Sequence, residues 1–219
     1  MLRLHHKEKI MKTLASILVI ICVMLVFSIL INIQQKGRVD SSNKKLDSIQ
    51  NYFNELDIIK KTIIISYPVV SEVEAKYYSY IFYNISQQYK VDFAAFPALI
   101  RIESNWNPTL VSSRKCRGLT QIASATASDG CRQFNVDYKE GVTEWNDILN
   151  VIIGLDYFSL RYKKNGLEYA IRSYIGGDGF RNAAGDNKIY IEKYTKEFMG
   201  EFTKVSYINK GVRYDAEKH

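Results

Sequence analysis

Residues 96–127 read FPALIRIESNWNPTLVSSRKCRGLTQIASATA, and the fold turns on how this stretch is taken. Phe96, Leu99 and Glu103 recur at spacings of three and four, so an acid falls on the apolar face of a helix. Asp92 is its plausible N-cap, Pro97 an irregularity just inside its start, and Pro108 ends the region. Glu103 sits in the last turn, where unpaired carbonyls carry partial negative charge and disfavour the ionised carboxylate. Burial and the helix end both push its pKa upward, as a general acid working near neutral pH requires. A surface Glu at a frayed helix end fits the same spacing.

Outward from this stretch, composition narrows the classes. The chain has 219 residues, 47% apolar and 24% charged, with 12 Gly and 3 Pro. It should fold as one globular domain with appendages and bury a core without disulfide staples. Its formal charge of +7 raises nucleic acid as a partner. Six basic residues and one acid lie up to Arg38, however, leaving 24 basic against 22 acidic residues beyond. The excess flanks one segment instead of covering a globular face, so no nucleic-acid partner is expected.

That segment is Leu14 to Ile33, LASILVIICVMLVFSILINI, uncharged over the length needed to cross a bilayer as a helix. A cleaved signal peptide would have a shorter apolar core and a small-residue cleavage site, which Asn32 to Lys36 does not offer. An uncleaved anchor fits better. Four basic residues precede the span and two follow it, which places the N-terminus in the cytoplasm and the rest outside.

His5 and His6 fall on the cytoplasmic side and His219 is the last residue, so the folded domain has no His for a zinc site or a nucleophile pair. No metal site is expected. Cys22 lies in the span, and Cys116 and Cys131 are the one pair on the oxidising side, either bridged or as two free thiols.

Expected boundaries are a basic cytoplasmic tail (1–13), a transmembrane helix (14–33), a tether and amphipathic helix or stalk (34–70), the globular domain (71–205) and a polar C-terminal tail (206–219). Leu46, Ile49, Phe53, Leu56 and Ile63 form the stripe of that helix or stalk. Ser71 with Glu74 reads as a capping box opening a helix to Tyr89. Helical patterns follow at 118–128, 146–163, 166–174 and 188–202, with no period-two strand between them, so the fold is mainly α.

The blocks around Glu103 resemble a known signature. Glu103-Ser104 with Pro108, then Ser112, Gly118-Leu119-Thr120-Gln121 and Thr126-Ala127 are similar to the E-S-x-x-x-P, x-A-x-S-x-x-G-A-x-G-L-M-Q and T-A pattern of the bacterial soluble-type (SLT) lytic transglycosylases. The register holds without a gap. Leu110 and Cys116 replace Ala, Lys115 replaces Gly, Thr120 replaces Met and Ser124 replaces Pro. Asn150 to Phe158 resembles the family's N-I-x-x-G-x-x-Y-L helix, and Ala170 to Gly177 its A-x-x-A-Y-N-A-G segment, with Ile175 for Asn and Gly176 for Ala. The likeness runs from Ile85 through Tyr194 and weakens after Gly179.

The resemblance implies a compact, lysozyme-like catalytic domain that binds the glycan strand of peptidoglycan and needs no cofactor. Glu103 would be acid then base, Gln121 and Tyr174 would line the cleavage site, and Ser104 and Ser112 would be supports or substrate contacts, with helix-terminal caps the alternative for both. The product would be 1,6-anhydromuramic acid. A hydrolytic muramidase and an inactive glycan-binding scaffold are the alternatives. Asp129, Asp147 and Asp156 read as caps or solvated faces, not as a second acid. Trp106 faces sugar or core equally well. The implied place is the bacterial cytoplasmic membrane, with the domain outside, in wall turnover or in a secretion, conjugation, pilus or phage assembly. Gly176-Gly177-Asp178-Gly179-Phe180 looks like the GGDEF string of diguanylate cyclases, but it lacks the Glu and lies in a helical region expected outside the cytoplasm.

Overall fold

The computed structural model describes the backbone of residues 2–140, 143, 146–177 and 179–216, and side chains within these at residue 28 and from 33 onward. Six helices follow in order: α1 (Leu2–Ser66), α2 (Glu72–Tyr89), α3 (Ala95–Ser104), α4 (Ser124–Gln133), α5 (Asp147–Gly176) and α6 (Gly185–Ala216), with a 3-10 turn at Phe180–Asn182. Among the described residues there is no strand. The chain divides into two compact units, 1–53 and 54–219.

In the first unit Val39, Leu46, Ile49 and Phe53 are exposed on α1. The expected span at 14–33 lies, Ser28 and Ile33 apart, outside the described side chains. No described helix is long and apolar enough to cross a membrane.

The second unit begins at Asn54, ahead of the boundary expected at Ser71, because Ile59, Ile63 and Tyr67 are buried in its core with Phe82, Phe96, Phe158 and Phe198. Nor do the last residues form a separate tail: α6 continues to Ala216, Val212 is buried, and Arg213 pairs with both carboxylate oxygens of Glu55 at 2.6 and 2.7 Å.

Local chemistry accounts for the element ends. Ser71 and Glu74 close the capping box on α2. Asp92 acts earlier than an N-cap: its carboxylate accepts from the Ala94 amide at 2.9 Å, and α3 starts at Ala95. Pro97 is the third residue of α3, where the missing N–H costs no intrahelical bond. α5 joins the two expected helices across a break at Asn165 and Gly166, the latter at φ 83°. The stretch 118–123, expected as helix, is instead a loop: Gly118 and Gln121 take φ of 77° and 49°, and Arg117 bridges to Val111 and Ile122. Left-handed residues at that spacing interrupt an α-helix.

α3 packs on α6, and α5 packs on α2, α4 and α6. Asp156, expected as a cap or solvated group, is buried: it accepts a short hydrogen bond from the Tyr89 hydroxyl and one from Gln133 at 3.1 Å, tying α2 and α4 to α5. Trp106 faces the core, its ring 5.3 Å from Tyr67 and 5.5 Å from Tyr78.

Candidate active site

Glu103 enters the site from the C-terminal turn of α3, and Asn105 and Trp106 then turn the chain sharply at φ 53° and 61°. The loop from Leu110 to Ile122 folds back over the helix end. Its turn is set by the Lys115 amide on the Ser112 carbonyl at 2.9 Å, while the Ser112 hydroxyl accepts from the Cys116 amide at 3.0 Å. Lys115 takes φ 62°, the left-handed conformation for which the family prefers Gly.

α5 anchors the other side of this loop. The Asn150 carboxamide accepts from the Thr120 amide at 2.8 Å and the Thr120 hydroxyl at 2.7 Å, and donates to the Arg117 carbonyl at 2.9 Å. One turn on, a Cβ at Gly154 would stand 2.2 Å from the Thr120 hydroxyl oxygen, so the loop and helix meet where only glycine fits. The Asn150 and Gly154 of the stretch Asn150 to Phe158 are thus the seat of the loop that carries Gln121.

These elements enclose a cleft of about 660 Å³ lined by Glu103, Ser112, Cys116, Gln121, Tyr174 and Tyr194 among others. Four of the five expected site residues therefore come together. Ser104 does not line it: it is buried, and its hydroxyl donates to the Ile100 carbonyl at 3.1 Å, a support within α3. Gln121 is buried, its amide donating to the carbonyls of Leu110 at 3.0 Å and Gly118 at 2.8 Å while its side-chain oxygen has no partner. The Tyr174 hydroxyl donates to the Thr120 carbonyl at 2.6 Å. Cys116 and Cys131 are both free: Cys116 borders the cleft, whereas Cys131 is buried on α4 against Ile122, Ala127 and Ile153.

Tyr194 is the principal residue that sequence reasoning missed. From α6 its hydroxyl donates a short hydrogen bond to Glu103 Oε1. Tyr190 and Glu197 line the same cleft, so a Tyr-Tyr-Glu stripe at spacings of four and three was the available signal, diluted among 16 Tyr. Asp186 also lines the cleft, and Glu197 lies 3.9 Å from Lys193.

Burial pushes the Glu103 carboxyl up to about 7, against the downward pull of the Tyr194 hydrogen bond. Tyr174 and Tyr194 are raised well above the ordinary phenol range, by burial first and then by the Glu103 charge. Both phenols stay protonated and serve as donors, leaving Glu103 poised to give and take a proton near neutrality. Among the described residues no cluster of three or more His, Cys, Asp or Glu is placed to hold a metal ion.

Fold and site define a helical domain with a buried carboxyl, Glu103, in a cleft. Residues 80–195, more than half the chain, match the family described as the Transglycosylase SLT domain, and the chain belongs to that family. None of the curated proteins compared with it matches. Solved structures similar to it include the 70 kDa soluble lytic transglycosylase of Escherichia coli, at 21% identity over 76% of this chain and 29% of that one, TM-score 0.47. A 70 kDa soluble lytic transglycosylase in complex with bulgecin A matches at 22% identity over 66% and 26%, TM-score 0.47. An inactive point mutant of the lytic transglycosylase Slt of Pseudomonas aeruginosa matches at 18% identity over 80% and 30%, TM-score 0.49. The chain thus spans less than a third of the length of these proteins, and its family membership rests on the sequence match.

Proposed function

We propose that the chain is a membrane-anchored peptidoglycan lytic transglycosylase that cleaves the β-1,4 bond between N-acetylmuramic acid and N-acetylglucosamine and leaves 1,6-anhydromuramic acid ends. The observation that carries this reading is Glu103, raised to about 7 by burial and held by Tyr194 in a cleft with Gln121 and Tyr174. Neutral Glu103 would protonate the glycosidic oxygen as the C1–O bond breaks. The carboxylate left behind, steadied by the Tyr194 hydroxyl, would then take the proton of the muramyl C6 hydroxyl as that oxygen bonds to C1. Acid and base are regenerated in one residue, and water is not consumed.

A second reading has its own observation. Asp186 and Glu197 line the same cleft, and a hydrolytic muramidase that works with two carboxylates has its second one across the scissile bond. Mass spectrometry of the fragments released from purified sacculi separates the two. Anhydromuramic ends are expected, and predominantly reducing muramic acid ends would make the protein a muramidase. Glu103→Gln should lower the release rate at least about 100-fold, the low end of what general acid–base catalysis supplies. A Gln variant that still cleaves near the wild-type rate would remove Glu103 from its role, and an inactive wild type would favour the glycan-binding scaffold.

In this reading residues 1–13 are the cytoplasmic tail, residues 14–33 the single span of the bacterial cytoplasmic membrane, and the domain lies outside. The uncharged segment and its flanking basic residues support it. Fractionation of cells making the full chain tests it, with a soluble species beginning near residue 34 as the overturning result. The activity would serve wall turnover or open the wall for a secretion, conjugation, pilus or phage assembly.

A further inference from the structure

The apolar stripe of α1 is divided in the structure. Leu56 and Ile63 are buried in the second unit, whereas Val39, Leu46, Ile49 and Phe53, all in the first unit, are 53–64% exposed. Val39, Leu46 and Phe53 stand seven residues apart and Ile49 three beyond Leu46, the a, a, a and d positions of a heptad repeat. Leu56 and Ile63 continue its d positions, and Ser42 is the one polar member of the seam between Val39 and Phe53. The exposed seam therefore runs on from an interface already made within the chain.

Among the described residues no packing partner supports the helix of this unit. Every side chain from 33 to 51 is exposed, and residues 34–53, QQKGRVDSSNKKLDSIQNYF, include Gly37, three Ser and two Asn, which are poor helix formers. An isolated helix of such composition is marginal in water, and helices in proteins draw most of their stability from packing an apolar face. A narrow seam of period 3.5 suits packing against another helix with the same seam, where a broader face of period 3.6 suits a globular core. The flanking residues permit this between identical chains. In two parallel copies Arg38 and Lys45, at g, would lie beside Asn43 and Gln50, at e, of the second copy, so no like charges meet. Asp40, Lys44 and Asp47 fall at b and f, on the outer side.

We infer that residues 39–53 of α1 are an interaction surface for a second copy of this chain, the two helices pairing in register as a parallel two-stranded coiled coil. The parallel direction rests on the single-span reading, in which every copy leaves the membrane the same way. Confinement to one membrane also raises the effective concentration at which so short a seam meets its copy.

The test is cysteine cross-linking of the full chain in membranes of cells making it, in a Cys22→Ala background whose own oxidised dimer sets the baseline. Val39→Cys, Leu46→Cys, Ile49→Cys and Phe53→Cys should each give a disulfide-linked dimer, while Asp40→Cys, Asp47→Cys and Asn51→Cys, on the outer side, should stay at the baseline. Leu46→Glu combined with Ile49→Glu should reduce the protein mass read by sedimentation in detergent micelles from two chains to one. It should leave the thermal midpoint of the second unit unchanged, because neither side chain is buried. Equal cross-linking around the helix, none at the seam positions, or a two-chain mass that survives the double variant would overturn the inference. Cross-links between Val39→Cys and Phe53→Cys in cells making both, in place of those between like positions, would overturn the parallel direction. A soluble species beginning near residue 34 would remove the anchor, and the same cross-links read on that species would still decide the pairing.

Discussion

At Glu103, two opposing effects meet on one carboxyl, and burial wins: the group rises from 4.5 to about 7 although Tyr194 donates a hydrogen bond to it. Removing that donor by Tyr194→Phe should move the carboxyl higher still, so the alkaline limb of the kcat/KM profile shifts to higher pH; an unmoved limb would separate Tyr194 from the acid. The same displacement has a stability consequence. A group whose folded pKa is raised contributes stability that is present below about 4.5 and lost as the pH rises through about 7. Glu103→Gln has no proton to lose, so its thermal midpoint should match the wild type at pH 4 and exceed it at pH 8, as scanning calorimetry at the two pH values will show. Glu103 was marked in the sequence by its place in the block that resembles the family's E-S-x-x-x-P pattern, since its helical spacing alone fits a surface Glu as well. Its partner was not, because Tyr194 is 91 residues distant and its Tyr-Tyr-Glu stripe is diluted among 16 Tyr.

Between elements, the decisive contact is the seat of the 110–122 loop on α5. Asn150 makes three side-chain hydrogen bonds to that loop, and Gly154 leaves the space that Thr120 fills. Asn150→Ala should cost about 1–3 kcal/mol, since it leaves buried backbone groups unpaired, and urea denaturation will read the loss. Gly154→Ala should destabilise by about 1–3 kcal/mol through the forced clash and lower cleavage as well, because the displaced loop carries Gln121. A stable Gly154→Ala variant with full activity would show that the loop is not held from α5. The sequence placed Asn150 and Gly154 in one helix, but their purpose appears only when the loop lies across it.

Over the whole compact unit, burial outweighs ion pairing. Phe158 and Phe198 stack at 6.0 Å in the centre of the core, both fully buried, so Phe158→Ala should cost about 3–5 kcal/mol. Arg213 and Glu55 make a two-pronged pair between the last helix and the end of α1, yet both side chains are 36% exposed. Arg213→Ala should cost under about 1 kcal/mol, because solvent screens such a pair. Thermal unfolding of the two variants side by side will rank them, and a larger loss for Arg213→Ala would mean that the helix ends, not the aromatic centre, hold the unit together.

The sequence by itself determined the helices with strong periodicity and caps, from Ser71 to Tyr89 and along α5, because hydrophobic spacing and capping are local. The resemblance carried by its blocks also marked Glu103, Ser112, Gln121 and Tyr174, which line one cleft. The tertiary structure alone decided the rest. It turned 118–123 from an expected helix into a loop with left-handed residues, sent Trp106 to the core and Ser104 out of the site, and brought Ile59 and Ile63 into the domain. It also set Tyr194 on Glu103. These outcomes depend on which surfaces meet across long stretches of chain, and a pattern of period 3.6 records which face of a helix is buried but not what buries it.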